Sequence, residues 1–385
     1  MNAGLLFPRS NVHPLIGSSF LEGLKAYTKK EGLEKEINFY SESIGFGGAE
    51  KEVYAKAEKL LMIDDVDVLI GFIDEKILEL IKPLILASGK LFVLVNTGAN
   101  HPLNWVPQPN IVTLSLQNAF LCAVNGFAAA ISNKGEKGVP AAVASTFYDC
   151  GYLHLAAMIK EFQLSGGSVQ YNYINKQLPA DEFNIAELAE FLEQRTDVRT
   201  LLCVFDSLPA SMFYHTLNKT GGAENLRLFV SPMMLEQKAL EKQGGGFRFH
   251  ALGYLPWHIS APGPGNKEFT EYYDRQLKKV PGLFSVLGWE TGMVLKEIFQ
   301  QSNFREGDAM AEILKAKQFT GPRGNMQLDS ITQHFILPAI HCSVEAGQPG
   351  MKMEYDVKLD NEWEEFTGRQ TEGHVSGWTN TYLCY

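Results

Sequence analysis

A handful of short stretches carry side chains able to hold a small polar molecule. FPRSNVHPLIG (7–17) offers Arg9, whose guanidinium can grip a carboxylate in two parallel hydrogen bonds, with Ser10 and His13 beside it and Ile16 as an apolar wall. GFIDEKIL (71–78) reads as a strand end followed by a helix, with Asp74 as N-cap and Glu75 as first residue. Free backbone N–H groups and the helix dipole favour an anion at such a start, yet the acid of Asp74 sits badly beside a ligand carboxylate. VLVNTGANHP (93–102) stops an apolar strand abruptly in small polar residues. Gly98 and Ala99 permit close backbone approach, and Thr97 and Asn100 can hydrogen-bond. Further on, STFYDCG (145–151) sets Phe147, Tyr148 and Asp149 before a helix. VFDSLP (204–209) ends a strand at Asp206 and Ser207, and VSPMM (230–234) presents Met233 and Met234. Each has a plainer structural reading: Asp74 and Asp206 as helix caps, Arg9 as a rim ion pair, 97–100 as a solvated turn.

Catalytic patterns are missing. There is no GxSxG elbow and no HExxH. GFGGAEK (45–51) has neither the Lys-Ser/Thr ending of a phosphate loop nor dinucleotide spacing. The five cysteines, Cys122, Cys150, Cys203, Cys342 and Cys384, show no CxxC or metal spacing. The expectation is a protein that binds rather than catalyses, with no cofactor and no metal. A net charge of -10, without a long basic run, argues against nucleic acid. No apolar stretch reaches the roughly 18 residues of a membrane span, so no direct membrane insertion is expected. MNAGLLFPRS shows no basic n-region or cleavage site. Either the chain is intracellular or it is a mature form whose signal has been removed.

The elements that must position these residues alternate strand with helix. Strands are expected at 4–8, 36–42, 66–72, 90–96 and 110–116, with helices at 18–32, 50–64 and 75–89, the last containing Pro83. A second series has strands at 139–145, 168–174, 198–205 and 225–231, with helices at 151–167 and near 185–195 and 208–219. Two successive arrays imply an α/β protein with two doubly wound parallel sheets. A third section differs: helices at 267–280, 285–301 and 308–318, a hairpin at 320–330 and a strand at 334–345. The stretch from Met351 has no clear element, and Trp257 and Trp289 read as core or hinge residues.

The order of GLLFP, LIG, FLEGLK, VDVLIGF, VNTGAN, NKEFTEYYDRQ, GWETGMVL and FTGPRGNMQLD resembles the type I periplasmic solute-binding proteins of the leucine/isoleucine/valine-binding group, over residues 4 to about 345. Those proteins serve ABC importers. The resemblance implies two lobes joined by three crossovers near 116–118, 252–255 and 331–334. Lobe one would be 1–116 plus 254–331 and lobe two 117–253 plus 332–385, with the ligand cleft between them. It implies that the 97–100 loop holds the ligand's charged ends. It also implies hinge closure, an extracytoplasmic location (periplasmic or extracellular) and a membrane permease as partner. Three departures stand out. Asp74 replaces a small hydroxyl, Cys150 stands where an aromatic is usual, leaving Tyr148 to take that role, and Met233 stands where amino-acid binders hold an acid for the ammonium. The implied ligand is a small amino acid, or a related carboxylate or amide, with an apolar portion. A ligand-sensing domain of a receptor, or a cytoplasmic amide-responsive regulator, is the alternative.

Overall fold

The computed structural model describes residues 1–10, 13–99, 106–132, 138–146, 151–175, 183–240, 246–302, 304–348 and 350–368. The first series is β1 (Asn2–Phe7), α1 (Ile16–Lys30), β2 (Asn38–Ser43), α2 (Glu50–Glu58), β3 (Val68–Phe72), α3 (Glu75–Ser88), β4 (Leu91–Asn96) and β5 (Ile111–Ser115). Its strands form one parallel sheet in the order β2-β1-β3-β4-β5. VLIGF and LFVLVN are buried at every position, because helices cover both faces of a parallel sheet. One face meets Phe20, Leu24 and Trp289; the other meets Val53, Leu60 and Ile81.

The chain then enters α4 (Asn118–Ile131) and continues through β6 (Pro140–Thr146), α5 (Gly151–Leu164), β7 (Ser168–Asn175), α6 (Ala186–Gln194), β8 (Thr200–Val204), α7 (Ser207–Leu217), β9 (Arg227–Val230), the short α8 (Gln237–Leu240) and β10 (His250–Leu255). Next come α9 (Pro264–Tyr272), α10 (Leu283–Phe299), α11 (Gly307–Lys315), β11 (Gln318–Gly321), β12 (Gly324–Leu328), β13 (Phe335–Ile336), β14 (Ala339–Val344), β15 (Lys352–Val357) and α12 (Asp360–Gly368). The second sheet runs β15-β14-β10-β9-β8-β6-β7. The protein is thus α/β with two sheets dominated by parallel strands.

Three features depart from the expected elements. The second sheet is mixed, since β14 and β15 join it antiparallel. The expected strand at 334–345 is broken before Ala339. Phe335–Ile336 pairs with β12 in a small third sheet, whereas β14 pairs with β10. Pro338 between them has no N–H to offer a ladder, so the chain changes sheet there. Helix α4 has no counterpart among the expected elements, and Asn118 through Gly126 are all buried.

Helices α9 to α11 pack on the first sheet. Phe269, Val286, Trp289, Ile298, Met310 and Leu314 share one core with Leu5, Val68 and Val93. Helices α1 and α10 cross with backbones touching. A Cβ at Gly23 would stand 2.1 Å from the Ser285 carbonyl oxygen, and one at Gly288 would stand 2.0 Å from that of Phe20. Only glycine allows this approach.

A buried ion pair ties α10 to the β11–β12 turn. Arg323 and Glu290 have side chains only 1% and 0% exposed. Arg323 Nη2 and Nε donate to Glu290 Oε2 at 2.6 and 2.9 Å. Nη1 donates to the Ser115 carbonyl at 2.7 Å, where β5 ends. Replacing Arg323 with alanine should destabilise the fold by about 3–5 kcal/mol, because it strands a buried carboxylate. The pair Arg323→Met with Glu290→Leu should recover most of that loss. Urea denaturation measures both, and a single-variant loss under about 1 kcal/mol would refute this view of the pair.

Candidate functional site

Loops leaving β1, β3 and β4 at their carboxyl ends lie side by side, the usual ligand position of an open parallel sheet. After β1, Ser10 is buried, and its Oγ accepts the His13 N–H at 2.9 Å, closing the turn into α1. The His13 ring packs edge-on against Phe284, 5.3 Å between centroids. Ile16 is buried in the core beneath. Arg9 is exposed, and its backbone N–H is tied to the Gly45 carbonyl at 2.6 Å.

After β3, Asp74 caps α3: its Oδ1 accepts the Glu75 N–H at 2.7 Å. The capping carboxylate therefore takes part of the positive helix start for itself. Glu75 is 4% exposed, and Asn96 Nδ2 donates to its Oε1 at 3.1 Å. Burial first, then the neighbouring charge of Asp74 and a hydrogen bond to it, push the Glu75 carboxyl well above the usual carboxylate range. Burial and the neighbouring acid thus both favour the neutral form of Glu75 over the charged one.

After β4, the expected hydrogen-bonding loop is present, but its backbone faces the chain itself. Asn96 Oδ1 accepts the Gly98 N–H at 2.8 Å. The carbonyls of Thr97 and Gly98 accept the N–H groups of Asn118 and Ala119 at 3.1 and 2.7 Å, satisfying the first turn of α4. Gly98 has φ +66°, and a Cβ there would stand 2.5 Å from the Gln117 nitrogen. Its close approach is thus to the chain crossing at Gln117. Thr97 and Ala99 are buried at 2% and 4% exposure.

From the second sheet, Thr146 ends β6 and is buried. Asn100, Phe147 and Tyr148 lie outside the described residues. Asp206 is half-buried at the start of α7, its carbonyl accepting the Ala210 N–H at 2.7 Å. Met233, in a short 3-10 turn after β9, is buried and packs into the core of the first sheet along with Trp257. It is an apolar contact between the two halves.

Asn96 is the first of the polar residues in VNTGAN, but its bridge between Glu75 and Gly98 depends on β3 and β4 being neighbours. One polar residue, His154, escaped the sequence reading. His154 lies in the apolar run GYLHLAAMIK of α5; a lone histidine one turn after a loop was its only mark. His154 is fully buried and close enough to feel the charge of Asp74. Burial drives its pKa down to about 3, with Asp74 pulling the other way, so the ring is neutral. No cluster among the described residues could hold a metal ion.

These groups make stability depend on pH. The unfolded histidine protonates near 6.5, and folded His154 only near 3, so the unfolded state holds the extra proton between those values. Stability is full above about 6.5 and falls as pH drops. His334, pulled down to about 4 by burial, acts in the same sense. Glu75 acts oppositely, since its raised pKa costs stability as pH rises above the ordinary carboxylate value. Replacing His154 with glutamine should therefore make the variant gain on the parent by about 1.4 kcal/mol per pH unit between pH 6 and 4. Denaturant unfolding at several pH values is the check; parallel stability curves would reject a buried neutral ring.

The geometry has counterparts among known proteins. A substrate-binding protein of an ABC transporter from Sphaerobacter thermophilus superposes with TM-score 0.75 at 18% identity, covering 93% of this chain and 98% of that one. A solute-binding protein of an R. palustris ABC transporter, in complex with benzoate, gives TM-score 0.66 at 20% identity, over 92% and 97% of the chains. The Streptococcus pneumoniae branched-chain amino acid binding protein LivJ, in complex with isoleucine, gives 0.65 at 11% identity, over 92% and 99%. No curated protein sequence matches the chain. Among the described residues no helix is long and apolar enough to cross a membrane. The family model described as periplasmic binding protein matches residues 1–348, and the chain belongs to that family of non-enzymatic binding proteins.

Proposed function

We propose that the chain is the extracytoplasmic solute-binding component of an ABC importer, which captures a small ligand between two lobes and hands it to the membrane permease. Lobe one comprises 1–116 and 254–331, and lobe two comprises 117–253 and the chain from 332. The observation that carries this reading is the match of residues 1–348 to the periplasmic binding protein family on a chain built as two α/β sheets; His154 of α5, on the second sheet, also feels the charge of Asp74, on the first. A site built half on each sheet is complete only when the halves close.

The ligand class is a small amino acid or a related carboxylate or amide with an apolar portion. Arg9 supplies a cation at the rim for a carboxylate. Met233 supplies an apolar wall where an acid would be needed to hold an ammonium. The buried setting that disfavours a charged Glu75 suits an amide or hydroxyl better than a second carboxylate. Thr97 and Asn100 from lobe one, and Phe147, Tyr148 and Asp206 from lobe two, complete the set. The benzoate carried by the R. palustris protein and the isoleucine carried by LivJ fit the same description of a polar end and an apolar body.

Calorimetry with amino acids, benzoates and short amides tests the class; binding confined to sugars or metal ions would overturn it. Small-angle scattering tests the mechanism. Saturating ligand should shrink the radius of gyration, and Tyr148→Ala should weaken affinity and compaction together. An open free protein whose distance distribution is unchanged by ligand would rule out hinge closure.

A further inference from the structure

The amino ends of the strands in the second sheet frame a separate groove of about 1070 Å³, lined by Arg195, Arg199, Arg227 and His250 along with Asp197 and Glu224. It lies at the far end of the sheet from the loops of the candidate site. Strands β8, β9 and β10 begin there, with Thr200 in register with Arg227 and Arg227 in register with His250. Neighbouring strands are about 4.8 Å apart, so Arg199, Arg227 and His250 stand at successive positions along one edge.

The charges at this edge are unevenly matched. Asp197 is occupied by Arg195, whose Nε and Nη2 donate to its two oxygens at 2.9 and 2.8 Å. Glu224 is occupied by Arg248, Nη2 to Oε2 at 2.9 Å. Glu345, which feels His250, is held by Lys352 at 2.6 Å. Arg199 and Arg227 have no ion pair among the described residues. Two guanidiniums thus line a groove whose two carboxylates are each held by another arginine, in a chain whose net charge is -10.

We propose that this groove is an oxyanion site, distinct from the ligand cleft, which takes a phosphoryl oxyanion through Arg199 and Arg227. The planar fork of each guanidinium matches two oxygens of a phosphoryl group. Such an anion supplies the missing countercharge, and Arg195, paired with Asp197, forms the flank. The same chemistry is presented by a free pyrophosphate and by the phosphate of an anionic lipid headgroup.

The test uses the full chain at low salt, with inorganic pyrophosphate by calorimetry and with phosphatidylglycerol or phosphatidylcholine vesicles by co-sedimentation. The expected result is binding to pyrophosphate, weakened at least about tenfold in Arg199→Gln/Arg227→Gln with an unchanged melting temperature. Binding to phosphatidylglycerol vesicles alone, lost in the same double variant, also supports the site and names the lipid headgroup as its source. Lys25→Gln/Lys29→Gln, two exposed lysines on α1, removes equal charge elsewhere and should leave binding intact. Failure to bind either probe, equal binding by the arginine double variant, or equal loss in the lysine control overturns the proposal.

Discussion

The guanidinium of Arg323 has no water to fall back on. Burying it beside Glu290 costs several kcal/mol for each ion, and the contact is tolerable only while the geometry is good and the remaining donors are satisfied. Nη1 finds its acceptor in the Ser115 carbonyl. That requirement fixes three pieces of chain together: α10, the β11–β12 turn and the end of β5. Two residues beyond Ser115 the chain crosses at Gln117, whose backbone is in the left-handed region at φ 56°. Gly98 sits against that crossing, and the Thr97 and Gly98 carbonyls hold the first N–H groups of α4. A salt bridge remote from the site thus sets where the site's central loop can stand. The motifs GWETGMVL and FTGPRGNMQLD contain the two partners of that bridge.

The same reasoning about buried charge governs the site. Asp74 accepts the Glu75 N–H, while burial and the neighbouring Asp74 push the Glu75 carboxyl well above the usual carboxylate range. His154 is held neutral by burial. Desolvation thus works against charge at both buried groups, an environment that penalises an unpaired negative charge. The composition of the loops alone, with two acids in succession, does not show this.

Alternation made most of the architecture legible. Fully apolar runs of five or six residues marked β3 and β4, and glycines marked helix ends. Where alternation failed, one reason is physical: β13–β14 is one largely apolar run divided by Pro338. The packing of α10 on α1 is invisible to periodicity, since Gly23 and Gly288 are 265 positions apart and only their contact explains both. The loops of the site were visible as polar interruptions after strands. Their partners were not, because the Asn96–Glu75 bond and the approach of His154 to Asp74 arise from strand order and from the meeting of two sheets. The sequence marks Gly98 as a place for close approach to a ligand, whereas the neighbour that stands against it in the fold is the backbone of Gln117.

In the proposed closing cycle, contacts between the halves that involve no ligand weigh on the switch. In that cycle Met233 in the core of the first sheet and His154 near Asp74 would add to the closed form. Moving an equilibrium from 1:99 to 99:1 needs about 5.5 kcal/mol of differential affinity, and every such contact supplies part of it before any ligand arrives. Stronger contacts would raise affinity but also the closed fraction of the empty protein, which a permease would then engage without cargo. A neutral His154 near Asp74 attracts less than a charged one would. Desolvation, which removes the proton from this ring, thereby weakens that ligand-free contribution in the proposed cycle.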